Sequence, residues 1–209
     1  MTTDTQAPVA PIVLPSGHWT SLPQVTLRTT LGTVVFDLYP NQAPISVANW
    51  LAYVQADSYT NLIFHRVIPG FMVQGGGFSS GLINRSPLFP SIVLESDNGL
   101  SNLSGTLAMA RTNDPNSATD QFYVNLIDNA FLDFSAASPG YAVFGQATQG
   151  LDVINAIAAV RTQTVGNYQN VPVTDVVILD AQETTGGSLQ TGTGLISLSG
   201  IENLASWDY

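Results

Sequence analysis

The chain has 209 residues and a formal net charge of −10, long enough for one domain with a real core and too acidic for broad electrostatic affinity to nucleic acid or anionic lipid. Its basic residues, Arg28, Arg66, Arg85, Arg111 and Arg161, are all arginine, which excludes Schiff-base and other lysine chemistry. Cysteine is absent, so disulfides, thiolate nucleophiles and thiolate metal sites are excluded too, and no apolar run reaches membrane-spanning length.

Residues 1–23 carry Pro8, Pro11, Pro15 and Pro23 among Thr, Ser, Ala and Gly, a composition that favours an extended leader from which Ile12, Val13, Leu14 and Trp19 could still dock. The start has neither the basic nor the apolar segment of a secretion signal. His18 has no second ligand at metal spacing and reads as a surface or packing residue. Two strand-like runs follow, Val25-Thr26-Leu27-Arg28-Thr29 and Thr33-Val34-Val35-Phe36-Asp37-Leu38, which pair across a turn at Leu31-Gly32. Pro44 then opens a helix in which Val47, Trp50, Leu51 and Val54 repeat at helical spacing, ending before Ser58.

The next stretch is Phe64-His65-Arg66-Val67-Ile68-Pro69-Gly70-Phe71-Met72-Val73-Gln74-Gly75-Gly76. Two short apolar runs flank a Pro-Gly turn and carry one arginine and one glutamine, which reads as a hairpin with a working face. Period-two alternation puts Phe64, Arg66 and Ile68 on one side and His65 and Val67 on the other. Gln74 offers a neutral donor and acceptor within reach of the guanidinium. Taken by period alone, a buried hairpin whose arginine reaches water is the more expected arrangement.

Gly75-Gly76-Gly77 and Ser79-Ser80-Gly81 look superficially like a phosphate cradle, but no lysine follows, and a turn needing permissive backbone is expected instead. Pro87, Pro90 and Asp97-Asn98-Gly99 mark a long loop around Ile92-Val93-Leu94, of the size that borders binding faces. Residues 105–110 and 121–125 read as strands. Their connector holds Asp114 and Asp120 but lacks calcium-loop order and a closing Glu, so a solvated loop over the active face is expected and no metal site. Residues 129–133 form a helical turn presenting Phe131 and Leu132, residues 141–147 another strand, and residues 150–160 a second helix with Leu151, Val153, Ile154, Ile157 and Ala158 on its apolar side. Residues 173–181 supply the last strand. Many strands with two separated helices suit a mainly β fold, a closed antiparallel barrel with a helix at each end.

The pattern Tyr59-x-x-Leu62-x-Phe64-His65-Arg66-Val67-Ile68-x-x-Phe71-Met72-x-Gln74-Gly75-Gly76 resembles the signature of the cyclophilins, the cyclosporin-binding peptidyl-prolyl isomerases. The resemblance continues in Gly105-Thr106-Leu107-Ala108-Met109-Ala110-Arg111, Gln121-Phe122-Tyr123-Val124-Asn125, Phe131-Leu132-Asp133 and Tyr141-Ala142-Val143-Phe144-Gly145, and covers roughly residues 24–180. Arg111, Phe131, Tyr141 and Tyr168-Gln169-Asn170-Val171-Pro172 look like the bacterial periplasmic branch.

The resemblance implies a closed eight-stranded antiparallel β-barrel capped by two helices, and catalysis of rotation about X-Pro bonds in support of protein folding. It nominates Arg66 as the catalytic donor. For the proline ring it nominates Phe71, Met72, Tyr123 and Leu132, with Phe131 on the rim. Gln74 would orient Arg66, while Ala110, the backbone of Arg111, and Gln121 would hold the residues before proline, with His65 and Tyr141 at the groove edge. No cofactor is implied. The implied partners are proline-containing peptides and unfolded protein clients, with weak cyclosporin binding because Phe131 stands where tight binders carry Trp. The family usually has Phe where Tyr123 stands, and the Tyr123 hydroxyl must find a partner.

The expected division is an extension at residues 1–23, an isomerase domain at 24–181 and a Gly/Thr/Ser-rich tail at 182–209. In the tail, Ser199-Gly200-Ile201-Glu202-Asn203-Leu204 resembles segments that precede calcium-binding nonapeptide repeats in exported acidic proteins, although the repeats are absent. Branch and composition favour a periplasmic or exported protein, with the cytoplasm as the alternative, and a monomer is expected. A non-catalytic peptide-binding or scaffolding module is the rival reading. A carboxylate-dependent hydrolase is disfavoured, since no acid falls within the pocket motifs.

Overall fold

Val25, Leu27, Val34, Phe36 and Leu38 alternate along two runs and are all fully buried, so each run is a strand with one face in the core. The computed structural model describes residues 18–185, 188–191 and 194–197. Its elements are β1 (His18–Trp19), β2 (Gln24–Thr29), β3 (Gly32–Leu38), α1 (Pro44–Gln55), β4 (Arg66–Ile68), β5 (Met72–Gly75), β6 (Phe78–Ser79), β7 (Ile83–Asn84), β8 (Thr106–Met109), β9 (Phe122–Asn125), a 3-10 turn (Ala130–Leu132), β10 (Val143–Gln149), α2 (Leu151–Ala158), β11 (Thr162–Val165), β12 (Tyr168–Pro172), β13 (Ile178–Thr185), β14 (Ser188–Thr191) and β15 (Gly194–Ser197).

Eight strands form the main sheet in the order β13-β2-β3-β10-β8-β9-β5-β4, each neighbouring pair antiparallel. The expected closed barrel is corrected here, because β13 and β4 share no ladder and the sheet is an open half-barrel. β4 is three residues long and pairs with β5 alone. The gap is spanned by an irregular segment instead: Asn61 N–H donates to Ile178 O (2.9 Å), Ile178 N–H to Leu62 O (2.7 Å) and Phe64 N–H to Val176 O (3.0 Å), with one isolated bridge between Ile63 and Val177. This seam also overturns the placement of Phe64 beside Arg66. Phe64 follows the seam and packs in the main core with Val67, whereas Arg66 and Ile68 obey the β4–β5 ladder and are only half-buried.

Other boundaries moved as well. The last main-sheet strand starts at Ile178, later than expected, and runs past residue 181 until Thr185 pairs with Gln24. Two hairpins, β6–β7 and β11–β12, have too little apolar alternation to have been anticipated. The end strand β1 pairs with β14, and β14 with β15; Asn41 holds β1 to the domain by accepting from Trp19 N–H (2.8 Å) and donating to Trp19 O (3.0 Å). The proline-rich residues before 18 and the segment Ser199-Gly200-Ile201-Glu202-Asn203-Leu204 lie outside the described residues.

The predicted stripe of α1 is buried as expected and delivers Trp50 into a cage of Phe36, Tyr59, Phe122 and Phe144, with ring centroids 5.6–6.0 Å away. Pro44 occupies the first turn, but the cap residue Ala43 has no side-chain acceptor. A distant residue fills that role: the Glu95 carboxylate accepts from Ile45 N–H (2.9 Å), Ser46 N–H (2.7 Å) and the Ser46 hydroxyl (2.8 Å), tying the long loop to the helix start. α2 buries Ile154 and Ile157 but leaves Leu151 exposed. It begins after Gly150, whose φ is +79° and where a Cβ would meet Thr33 O at 2.2 Å, so only glycine lets the helix approach β3 this closely.

Candidate active site

The site grows from strand register. Arg66 lies opposite Gln74, Gln74 opposite Tyr123, and Tyr123 opposite Ala108. Alternation then divides these strands by face: Val73, Val124, Leu107 and Met109 join the main core, while Met72, Tyr123 and Ala108 join Val143 in a second, smaller apolar cluster on the other face. Half-buried Phe71, Leu132, Tyr141, Ala110, Ile68 and Leu100 surround that cluster. The 3-10 turn supplies Leu132 and holds Phe131 out at 70 % exposure, stacked on Phe71 with centroids 5.7 Å apart and planes 26° from parallel.

Beside the apolar patch runs a chain of polar side chains. Arg66 Nη1 donates to Gln74 Oε1 (3.3 Å), and Gln74 Nε2 donates to Gln121 Oε1 (3.0 Å). Among the described residues this is the one hydrogen bond of the Arg66 guanidinium, which leaves its other donors for a ligand. Gly77 serves this arrangement, since a Cβ there would sit 2.5 Å from the Gln121 carboxamide.

Past Arg66 opens a cleft of about 410 Å³ bounded by His65, Phe78, Gln121, Asn167 and the start of β12 at residues 168–170. His65 lines this cleft while being itself buried: it is 6 % exposed, its ring lies 4.5 Å from that of Phe78, and its Nδ1 has no protein partner. Burial, and then the neighbouring charge of Arg66, push its pKa down to about 4, against a carbonyl of Ile63 that favours the proton. The imidazole is therefore neutral near pH 7.

Arg111 has a different task from Arg66. Its Nε and Nη2 donate to Gly140 O (3.0 and 2.7 Å), its Nη1 donates to Thr112 O (2.8 Å), and the guanidinium lies 4.4 Å over the Tyr141 ring. The side chain thus fixes the segment that carries Tyr141. Ala110 N–H is already bonded to Gln121 O (2.9 Å), which ties the two proposed peptide-holding residues together.

The Tyr123 hydroxyl does have a partner, one that pattern reading did not find. It donates to Asn102 Oδ1 (2.7 Å), in a buried network with Asn125, Asn129, Thr106 and Asp133. Burial raises the phenol pKa well above its ordinary value of 10.0, so Tyr123 stays a neutral donor, its ring packed in the smaller apolar cluster. The asparagines sit singly in loops and strand ends, where no apolar period marks them.

A family model for cyclophilin type peptidyl-prolyl cis-trans isomerase matches residues 24–183. The chain is 48 % identical over 170 residues to a peptidyl-prolyl cis-trans isomerase of Acinetobacter baylyi, covering 81 % of this chain and 90 % of the relative. It is 47 % identical over 157 residues to peptidyl-prolyl cis-trans isomerase B of Escherichia coli, covering 74 % and 95 %. Among solved structures, a cyclophilin type peptidyl-prolyl cis-trans isomerase of Cryptosporidium parvum, crystallised in the presence of the dipeptide Ala-Pro, superposes with a TM-score of 0.67 at 25 % identity, covering 78 % of this chain and 99 % of that one.

Proposed function

From the premise that this chain belongs to the cyclophilin-type peptidyl-prolyl cis-trans isomerase family, on its bacterial branch, and is such an isomerase, we propose that it accelerates X-Pro rotation by setting the Arg66 guanidinium against the prolyl nitrogen. Resonance of the nitrogen lone pair into the carbonyl makes the barrier about 18–20 kcal/mol. The twisted state localises that lone pair, so a positioned donor stabilises it more than either planar isomer. No bond is broken and no proton need be transferred, and the neutral, buried His65 accords with that.

The observation that carries this reading is the bonded series Arg66, Gln74, Gln121 alongside the apolar cluster. Phe71, Met72, Tyr123 and Leu132 take the proline ring, with Phe131 as rim. Gln74 orients Arg66. Ala110, the Arg111 main chain and Gln121 hold the residues before proline, and His65 and Tyr141 bound the groove. The Ala-Pro dipeptide named with the Cryptosporidium parvum relative supports proline-peptide binding here. The clients are unfolded or exposed proline-containing segments, and residues 24–181 are the unit that acts on them, which the activity of a chain trimmed to those residues checks.

Arg66→Ala tests the mechanism. Removing one preorganised donor typically lowers the rate by about two to three powers of ten. A protease-coupled assay on a proline tetrapeptide should show that loss with circular dichroism unchanged; activity within a factor of about three of wild type would overturn the role of Arg66.

A further inference from the structure

Asn102 is completely buried and lies outside every apolar motif, yet all four of its polar groups are engaged. Its side-chain oxygen accepts from Tyr123 Oη–H (2.7 Å) and Asn125 Nδ2 (3.2 Å). Its side-chain nitrogen donates to Asp133 Oδ1 (2.9 Å) and Tyr141 O (3.4 Å). Its main-chain N–H donates to the same Asp133 oxygen (2.7 Å), and its carbonyl accepts from Asn129 N–H (2.8 Å).

Each partner leads to a wall of the proline pocket. Tyr123 is the floor on β9. Asp133 directly follows Leu132, and Tyr141 N–H closes back on Leu132 O (2.9 Å). Asn129 donates through Nδ2 to Phe71 O (3.0 Å) and to Asn125 Oδ1 (2.8 Å). One amide therefore joins β9, the 3-10 turn, the 139–141 turn and the β4–β5 turn, segments that are far apart in sequence and meet only here.

We infer that Asn102 is the positioning residue of the proline pocket, setting the separation of its floor from its walls through Tyr123, Asp133 and Asn129 without touching substrate. The inference rests on the pocket reading above. An apolar cluster alone leaves rings free to slide, because dispersion is non-directional. Hydrogen bonds of fixed length to a shared centre remove that freedom, and in a buried network no water replaces a lost partner at low cost. The Tyr123 hydroxyl makes the floor part of that frame, so the ring tilt is set from behind.

The test measures kcat and KM separately on a proline tetrapeptide for Asn102→Ala, Asp133→Ala, Tyr123→Phe and the double variant Asn102→Ala with Tyr123→Phe. Asp133 is half-buried where Asn102 is fully buried, so its truncation is the milder perturbation, and circular dichroism checks that each variant is folded before its kinetics are compared. Positioning predicts that Asn102→Ala and Asp133→Ala raise KM by about tenfold with kcat within about twofold, as expected for lost uniform binding. Tyr123→Phe raises KM by about threefold, and the double variant falls short of the product of its single effects, as coupled neighbours do. Unchanged KM in Asp133→Ala, with only a lower melting temperature, or strictly multiplicative effects, would overturn the inference and leave a merely structural network. Tyr123→Ala separates the two readings: if it does not raise KM, the pocket assignment itself falls, whereas if it does and Asn102 and Asp133 do not, the positioning role alone falls.

Discussion

Replacing Glu95 by alanine removes the acceptor for two N–H groups and one hydroxyl at the start of α1, a helix whose own cap residue, Ala43, offers nothing in exchange. Losing an N-terminal cap costs about 0.5–2 kcal/mol, and losing a carboxylate from the positive end of the helix dipole adds about 0.3–1 kcal/mol. The carboxylate is half-buried, which places the combined loss near the middle of those ranges, about 2 kcal/mol. For a chain of this size each kcal/mol moves the melting temperature by about 2–4 °C, so the midpoint should fall by about 4–8 °C. Glu95→Gln keeps an acceptor but no charge and should lose about half as much. Urea titration followed by circular dichroism and by the fluorescence of caged Trp50 measures both, with the exposed neighbour Asp97→Ala as control. A Glu95→Ala variant within about 0.5 kcal/mol of wild type would refute the claim that this remote carboxylate caps the helix.

The buried His65 predicts an acid sensitivity of stability. Its folded pKa, about 4, lies below the ordinary value of 6.5, so the unfolded chain binds the extra proton first; its contribution is complete above about pH 6.5 and is lost as pH falls toward about 4. The loss is at most about 3 kcal/mol, and urea titrations at pH 7 and 4.5 should show it in wild type but reduced in His65→Phe; equal losses in both would remove His65 as the cause. Cyclosporin should inhibit weakly, because exposed Phe131 carries no N–H to donate, and Phe131→Trp should tighten inhibition by roughly one power of ten, as one recovered hydrogen bond allows. Tight inhibition of wild type, or no gain in the variant, would count against Phe131 as the rim.

What could be read in the chain was whatever repeats with a period or matches a spaced motif. Val47, Trp50, Leu51 and Val54 announced α1, and the Arg66 and Gln74 runs announced the β4–β5 hairpin with its polar pair. Alternation failed where the backbone leaves the ladder: Phe64 belongs to the seam, and no local pattern reveals that residues 61–64 bond to residues 176–178. The closed barrel failed for the same reason, since closure depends on whether two distant edges find a common register. Glu95 and Asn102 were invisible because each is a single polar residue in a loop, and its importance comes from partners roughly 50 and 21 positions away. The tight hairpins β6–β7 and β11–β12 lack the apolar rhythm that would have marked them.

The two-faced strands β5, β8 and β9 carry a consequence for how such a protein can change. Val73, Val124, Leu107 and Met109 hold the molecule together from one side, and Met72, Tyr123 and Ala108 build the smaller apolar cluster proposed to back the proline pocket on the other, so neighbouring letters of the same strand answer to different selective demands. Mutation at every second position can retune ligand preference while the intervening positions keep the fold in place. Drift in specificity and retention of the main core are thereby separated by a single residue step.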